Sequence, residues 1–265
     1  MAQDSKISWT THSFNVVWGC VKVSPGCRQC YAEALAERQG QSVWGPNAPR
    51  RTFGEKHWAE PLRWNAAAAA ARTRAHVFCS SMCDIGEDHP TIITEMAKLW
   101  PLIRRTPWLD WQLLTKRPER YPIILPADWG DGYPNVWLGT SIENNDYVWR
   151  ADELRKLPAT VRFVSYEPAL GPLYKLNLDG ISWLIYGGES GPGFRDHNLE
   201  WARDMKRRCE LAGVAFFYKQ SAAYRTELET ELDGQVVKNY PRRRLPVLQG
   251  QDQNAGSLFE NRGPA

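Results

Sequence analysis

The sequence predicts an α/β protein built as a partial or complete parallel (β/α) barrel. Two observations carry this. Short apolar runs of strand length alternate with segments of helical length, the pattern of parallel strands joined by crossover helices. Each run also ends in hydroxyl, charged or thiol residues, and the C-terminal ends of barrel strands are where chemistry is placed. An open doubly wound sheet shares the first feature. Seven polar strand ends around one site favour the barrel.

The runs follow in order. Phe14–Trp18 leads into a cysteine-rich loop and a helical segment, Ala32–Arg38. His76–Cys79 ends in Ser80-Ser81-Met82-Cys83-Asp84, and Asp110–Thr115 ends in Lys116-Arg117-Pro118. Asn135–Gly139 runs into Thr140-Ser141-Ile142-Glu143-Asn144, and Val161–Ser165 into Tyr166-Glu167-Pro168. Ser182–Tyr186 is followed by Gly187-Gly188-Glu189-Ser190-Gly191, and Gly213–Tyr218 by Lys219-Gln220. Helices are expected over Ala59–Arg74, Thr91–Arg105, Asn145–Leu157 and Leu199–Ala212. The alanine run Ala66–Ala71 is explained by helix propensity alone. Residues 39–58, rich in Gly, Pro and basic side chains, read as an insertion loop. The barrel domain is expected over 1–221, with 222–265 as a C-terminal extension and mobile tail.

Composition sets bounds. With 265 residues and 43% hydrophobic content, one sizeable core is available. A formal charge of +3 neither demands nor opposes nucleic acid. No run approaches the ~18 apolar residues of a membrane span, and the N-terminus lacks the apolar stretch of a signal peptide. A reducing cytoplasm is expected, where clustered cysteines bind metal or do chemistry. Thirteen tryptophans fill the core or stack on bases.

Of six cysteines, Cys20, Cys27 and Cys30 fall within eleven residues, spaced C-x6-C-x2-C. Three thiolates fit a cubane iron–sulfur cluster with one iron open, or a zinc knuckle completed by His12, Cys79 or Cys83.

With Tyr31 directly following, the spacing resembles a lengthened form of the C-x3-C-x2-C signature of radical S-adenosylmethionine enzymes. Further stretches resemble the phage Gp37/Gp68 family of three-cysteine proteins. They are Phe78-Cys-Ser-Ser-Met, Leu114-Thr-Lys-Arg-Pro, Gly139-Thr-Ser-Ile-Glu-Asn, Ser165-Tyr-Glu-Pro, Gly187-Gly-Glu-Ser-Gly and Phe217-Tyr-Lys-Gln. The likeness runs from about Trp9 to Gln220. It departs from the usual radical pattern in the six-residue first gap and in Gln29, which stands where an aromatic residue is usual.

The resemblance implies a barrel of the radical S-adenosylmethionine type. A [4Fe-4S] cluster would sit on Cys20, Cys27 and Cys30, with S-adenosyl-L-methionine on the fourth iron. Reduction by flavodoxin or ferredoxin would release a deoxyadenosyl radical. Tyr31, Ser80, Ser81, Asp84, Lys116, Thr140, Ser141, Glu143, Asn144 and Glu167 would contact the cosubstrate. Ser80, Ser81 and Asp84 would meet its amino group, and Thr140 to Asn144 its ribose. Lys116 and Arg117 suit a carboxylate or phosphate, or form an exposed charge pair. Asn144 also suits a helix cap.

Cys83 would donate a hydrogen atom, or is a buried small side chain. Tyr186, like Tyr166 and Tyr218, would relay a radical, or simply packs. Glu189 and Arg195 would touch substrate. The glycine-rich turn around Glu189 lacks the features of a P-loop or a Rossmann turn. Cys209 reads as structural.

The family likeness points to phage DNA modification, specifically isomerisation of N-linked to C-linked glycinyl-thymidine in thymidine hypermodification. DNA bearing modified thymidine is the expected partner, in the host cytoplasm if the protein is phage-encoded. Arg50, Arg51, Lys56 and Arg242–Arg244 would hold phosphates, or are solvated charges. The alternatives are a repair lyase like spore photoproduct lyase, an enzyme of tRNA or nucleotides, and a non-catalytic zinc-bound nucleic-acid module.

Overall fold

A computed structural model describes residues 4–241. Its centre is a seven-stranded sheet, parallel throughout, in the order β1 to β7. The strands are β1 (His12–Phe14), β2 (Ala75–Cys79), β3 (Leu109–Thr115), β4 (Val136–Ser141), β5 (Val161–Tyr166), β6 (Trp183–Gly187) and β7 (Ala215–Gln220). The helices are α1 (Tyr31–Arg38), α2 (Glu55–Ala70), α3 (Pro90–Arg104), α4 (Tyr121–Ile124), α5 (Trp149–Arg155) and α6 (Leu199–Ala212).

The sheet curls into a half-barrel, and one side chain shows how tightly. The Trp9 ring lies 4.5 Å from Phe78 on β2, 6.4 Å from Phe163 on β5 and 6.0 Å from Trp183 on β6. In a flat sheet β2 and β5 would stand about 14 Å apart, three strand spacings. Because side chains alternate along a strand, two cores result. Trp9, Phe78, Trp137, Phe163, Trp183, Ile185 and Phe217 fill the concave side. Val77, Trp111, Leu113, Leu138, Val164, Leu184 and Phe216 pack the convex side together with residues of the helices.

The barrel is open between β1 and β7, and the described part of the C-terminal extension spans that opening. Tyr218 N donates to Val237 O at 2.8 Å and Asn239 N to Phe216 O at 3.2 Å, so this segment covers the β7 edge. Tyr240 Oη then donates to Ser8 O at 3.3 Å, and Ser8 N to Glu227 Oε1 at 3.2 Å. The extension is thus packed onto the barrel as far as it is described.

Several boundaries differ from the sequence reading. The first strand ends at Phe14. Val16 and Val17 are buried without strand pairing, and Trp18 pairs antiparallel with Arg51. Apolar content reported burial there, not extended pairing. The expected insertion loop stops at Gly54, which caps α2. The run Asn145–Leu157 is broken because Asn144 Oδ1 accepts from Asp146 N at 2.9 Å, capping a short 3-10 turn ahead of α5. Arg50 is no phosphate ligand. Its guanidinium is fully buried, paired with Glu87 and donating to the carbonyls of Val43, Ala48 and Gly45. Arg51 lies over the Trp18 ring at 4.7 Å. Arg242–Arg244 lie outside the described residues. Among the described residues, no helix is long and apolar enough to cross a membrane.

Candidate active site

The strands' C-terminal ends open into one cavity of about 780 Å³. The cysteine loop forms one wall, held there by anchors that include Gly19, Val21 and Ser24. Gly19 N donates to Met82 O at 3.0 Å, and a side chain at Gly19 would place its Cβ 2.3 Å from Val43 O. Arg117 Nη2 donates to Val21 O at 2.8 Å. Ser24 Oγ donates to Glu143 Oε1 at 2.5 Å, over Gly26, whose missing Cβ would stand 2.5 Å from that same oxygen. Glu143 is itself fully buried and paired with Arg150 at 3.0 Å. The loop therefore rests on a buried ion pair at the end of β4.

The structure brings most of the expected residues together. Cys20, Cys27, Cys30, Tyr31, Ser80, Ser81, Cys83, Asp84, Lys116, Ser141, Glu167 and Glu189 all line the cavity. Thr140, Glu143, Asn144 and Tyr186 do not. Thr140 and Tyr186 occupy outward positions of β4 and β6, as alternation requires. Thr140 Oγ1 donates to Thr115 O at 2.9 Å, and the Tyr186 ring stacks on Tyr218 at 5.5 Å within the convex core. Glu143 is occupied beneath the loop, and Asn144 serves as the cap.

Asp84 lines the cavity with its carboxylate already saturated. It accepts from Gly86 N at 2.9 Å, Lys116 N at 3.1 Å, Arg117 Nη1 at 2.7 Å and the Thr115 hydroxyl. Four donors use the four lone-pair sites of a carboxylate. Asp84 is thus a buckle joining the ends of β2 and β3, not a free acceptor for an amino group.

The thiols feel both burial and charge. Burial pushes Cys20 well up, with Asp84 adding to the effect and Arg117 opposing it. Burial raises Cys30 too, against the N–H groups of Glu33 and Ala32 at the start of α1. Burial also pushes Cys83 up, opposed by its hydrogen bonds from Ser80 and the Val17 backbone. Lys116 keeps its proton firmly: burial works against it, but Glu143, Cys27 and Asp84 outweigh that and raise it.

Sequence reading passed over several lining groups, among them Arg38, Ser165, Lys219, Tyr224 and Arg225. Ser165 and Lys219 carry a signal that could have found them, the inward alternation of β5 and β7. Lys219 Nζ pairs with Glu167 across β6, where a Cβ on Gly187 would come within 2.9 Å of the Glu167 carboxyl carbon. Arg225 belongs to the extension, and nothing local marks it as lining the cavity. Glu189 binds Arg195 at 2.5 Å, and Arg195 Nη2 also donates to Pro25 O at 3.0 Å, tying the glycine-rich turn to the cysteine loop.

The donor set can be tested against an iron–sulfur cluster. All three cysteines are free thiols lining one cavity. Among the described residues no three His, Cys, Asp or Glu side chains converge as ligands of a single ion must. A cubane takes each thiolate on a different iron, and three free thiols on one cavity supply the number of protein donors that such a group takes when one iron is left open.

Fold and site together define the class: a parallel (β/α) half-barrel with a three-thiol cavity at its strand ends. The chain belongs to the family described as "Protein of unknown function (DUF5131)", whose model matches residues 4–261. No curated protein and no solved structure matches it.

Proposed function

We propose that this protein is a radical S-adenosylmethionine enzyme of the phage Gp37/Gp68 type. Its substrate is a modified nucleobase in DNA, and its reaction the conversion of N-linked to C-linked glycinyl-thymidine. The observation that carries the reading is the meeting of Cys20, Cys27 and Cys30 with polar strand ends around one cavity. Cys20, Cys27 and Cys30 would hold the [4Fe-4S] cluster, with flavodoxin or ferredoxin as electron donor in the cytoplasm. When bound, cluster and S-adenosyl-L-methionine supply abstraction of a hydrogen atom from an unactivated C–H bond.

The chain's own residues bind and orient. The Lys116 ammonium, protonated and with no hydrogen bond or ion pair of its own among the described residues, attracts a carboxylate. Ser80, Ser81 and Ser141 offer hydroxyls, and the Glu167–Lys219 pair presents opposite charges to a substituent carrying an amine and a carboxylate. Cys83 holds a protonated thiol beside them, suited to returning a hydrogen atom. Glu189 and Arg195 brace the rim, and the apolar wall of Trp9, Phe78 and Leu114 limits water.

The test is anaerobic purification followed by iron and sulfide analysis and the visible spectrum. Incubation with dithionite and S-adenosyl-L-methionine should then yield deoxyadenosine. A colourless, zinc-loaded protein would overturn the proposal.

A further inference from the structure

The charges lining the cavity do not cancel. Its three carboxylates are all paired: Asp84 with Arg117, Glu167 with Lys219, and Glu189 with Arg195. Three lining cations have no acid partner among the described residues: Arg38, Lys116 and Arg225. Lys116 faces Glu143, Cys27 and Asp84 at the thiol end of the cavity. Arg38 and Arg225 remain. Both are exposed, and they come from opposite edges of the open sheet, one from α1 behind β1 and the other from the segment after β7.

Aromatic side chains stand beside them. Tyr224 is 61% exposed and lines the cavity next to Arg225. Tyr31 is 53% exposed, its hydroxyl held by Ser81 O at 2.9 Å, so the ring is fixed with much of its surface uncovered. Guanidinium groups with no acid partner (the Arg38 side chain donates to Ala34 O at 3.3 Å) and exposed rings match what a nucleic-acid strand needs, phosphates on cations and bases on π-faces. A base still stacked in a duplex cannot reach polar groups at the bottom of a cavity, whereas an unpaired or extruded one can.

We propose that the cavity mouth binds a single DNA strand, with Arg38 and Arg225 pairing with backbone phosphates and Tyr224 stacking on a base. This rests on the reading of a nucleobase substrate and locates the side chains that would admit it.

The experiment is fluorescence anisotropy of the full chain, purified anaerobically, with a labelled twelve-nucleotide thymine-containing single strand over a sodium chloride series. Arg38→Ala and Arg225→Ala should each weaken binding and flatten the salt dependence by about 0.7 in the log–log slope, one phosphate contact for a single strand. Tyr224→Ala should weaken binding about fivefold or more with the slope unchanged. Arg207→Ala, an exposed arginine of α6 paired with Asp204, should change neither. Thymidine monophosphate should compete poorly, and a fully paired duplex should bind more weakly.

Slopes unchanged in both cavity variants, or equal losses in the Arg207 variant, would overturn the proposal. So would a mononucleotide or duplex binding as tightly as the strand. The reading as an enzyme is judged separately. Deoxyadenosine formation without strand binding removes only the mouth site, and strand binding without a cluster removes only the radical chemistry.

Discussion

Replacing Glu143 by alanine tests the foundation of the cysteine loop. The carboxylate is fully buried, accepts from Ser24 Oγ at 2.5 Å, and holds Arg150 Nη1 at 3.0 Å. Without it the Arg150 guanidinium, 2% exposed, keeps Ser141 O at 2.8 Å and the rings of Tyr147 at 4.4 Å and Trp149 at 5.8 Å, but no acid. An unpaired buried charge of this kind costs about 3–5 kcal/mol. For a domain of this size that corresponds to roughly a 10 °C fall in Tm. Ser24 loses its acceptor at the same time, so the turn carrying Cys27 is released.

The assay is urea unfolding of wild type, Glu143→Ala and Glu143→Gln/Arg150→Met, with cluster content measured in parallel. The alanine variant should lose stability and, on the proposed reading, the cluster as well. The double variant should recover much of the stability, since an uncharged pair of similar volume leaves no buried ion. A loss below about 1 kcal/mol in the single variant, or no recovery in the double, would refute the argument that the ion pair supports the loop.

His57 gives a pH dependence. Burial lowers its pKa from 6.5 to about 4, and Nε2 lies 2.8 Å from Asn15 O, behind the Ser81–Met82 turn. The folded protein holds it neutral, so its stabilising contribution is complete above pH 6.5 and declines as pH falls towards 4. Between pH 7 and 5 the loss is about 2 kcal/mol, and His57→Phe should remove that part of the slope in urea midpoints.

Gly188→Ala would place a Cβ 2.1 Å from Ala222 N and 2.5 Å from Ser221 C, all backbone. The expected cost is at least about 1–3 kcal/mol, with faster proteolysis after residue 221 than in wild type. On the proposed reading as an iron–sulfur protein, serine at Cys20, Cys27 or Cys30 should each abolish the brown absorption of the cluster. Serine at Cys209, buried in α6 with its thiol pushed up to about 12 by burial, should leave it intact.

Much of this protein is written locally. Short apolar runs closed by polar or turn residues mark each of the later strands, as both faces of a parallel sheet are buried, and Leu199–Ala212 is read to the residue because Asn198 and Gly213 bracket an amphipathic run. The cysteine triad and the polar strand ends are likewise legible, since they sit where strands stop. Other features depend on groups far apart in sequence. Arg50 looks like a phosphate ligand until Glu87 is brought to it, and Glu143 like a ribose ligand until Ser24 and Arg150 close on it. Asp84 looks free until β3 delivers Thr115, Lys116 and Arg117. The sequence by itself determined the alternation of strands and helices and the thiols they expose, because those patterns follow from local periodicity and spacing. Only the tertiary structure decided which charges neutralise one another, because that depends on how far the sheet curls and on residues 222–241 bridging its open edge to Ser8.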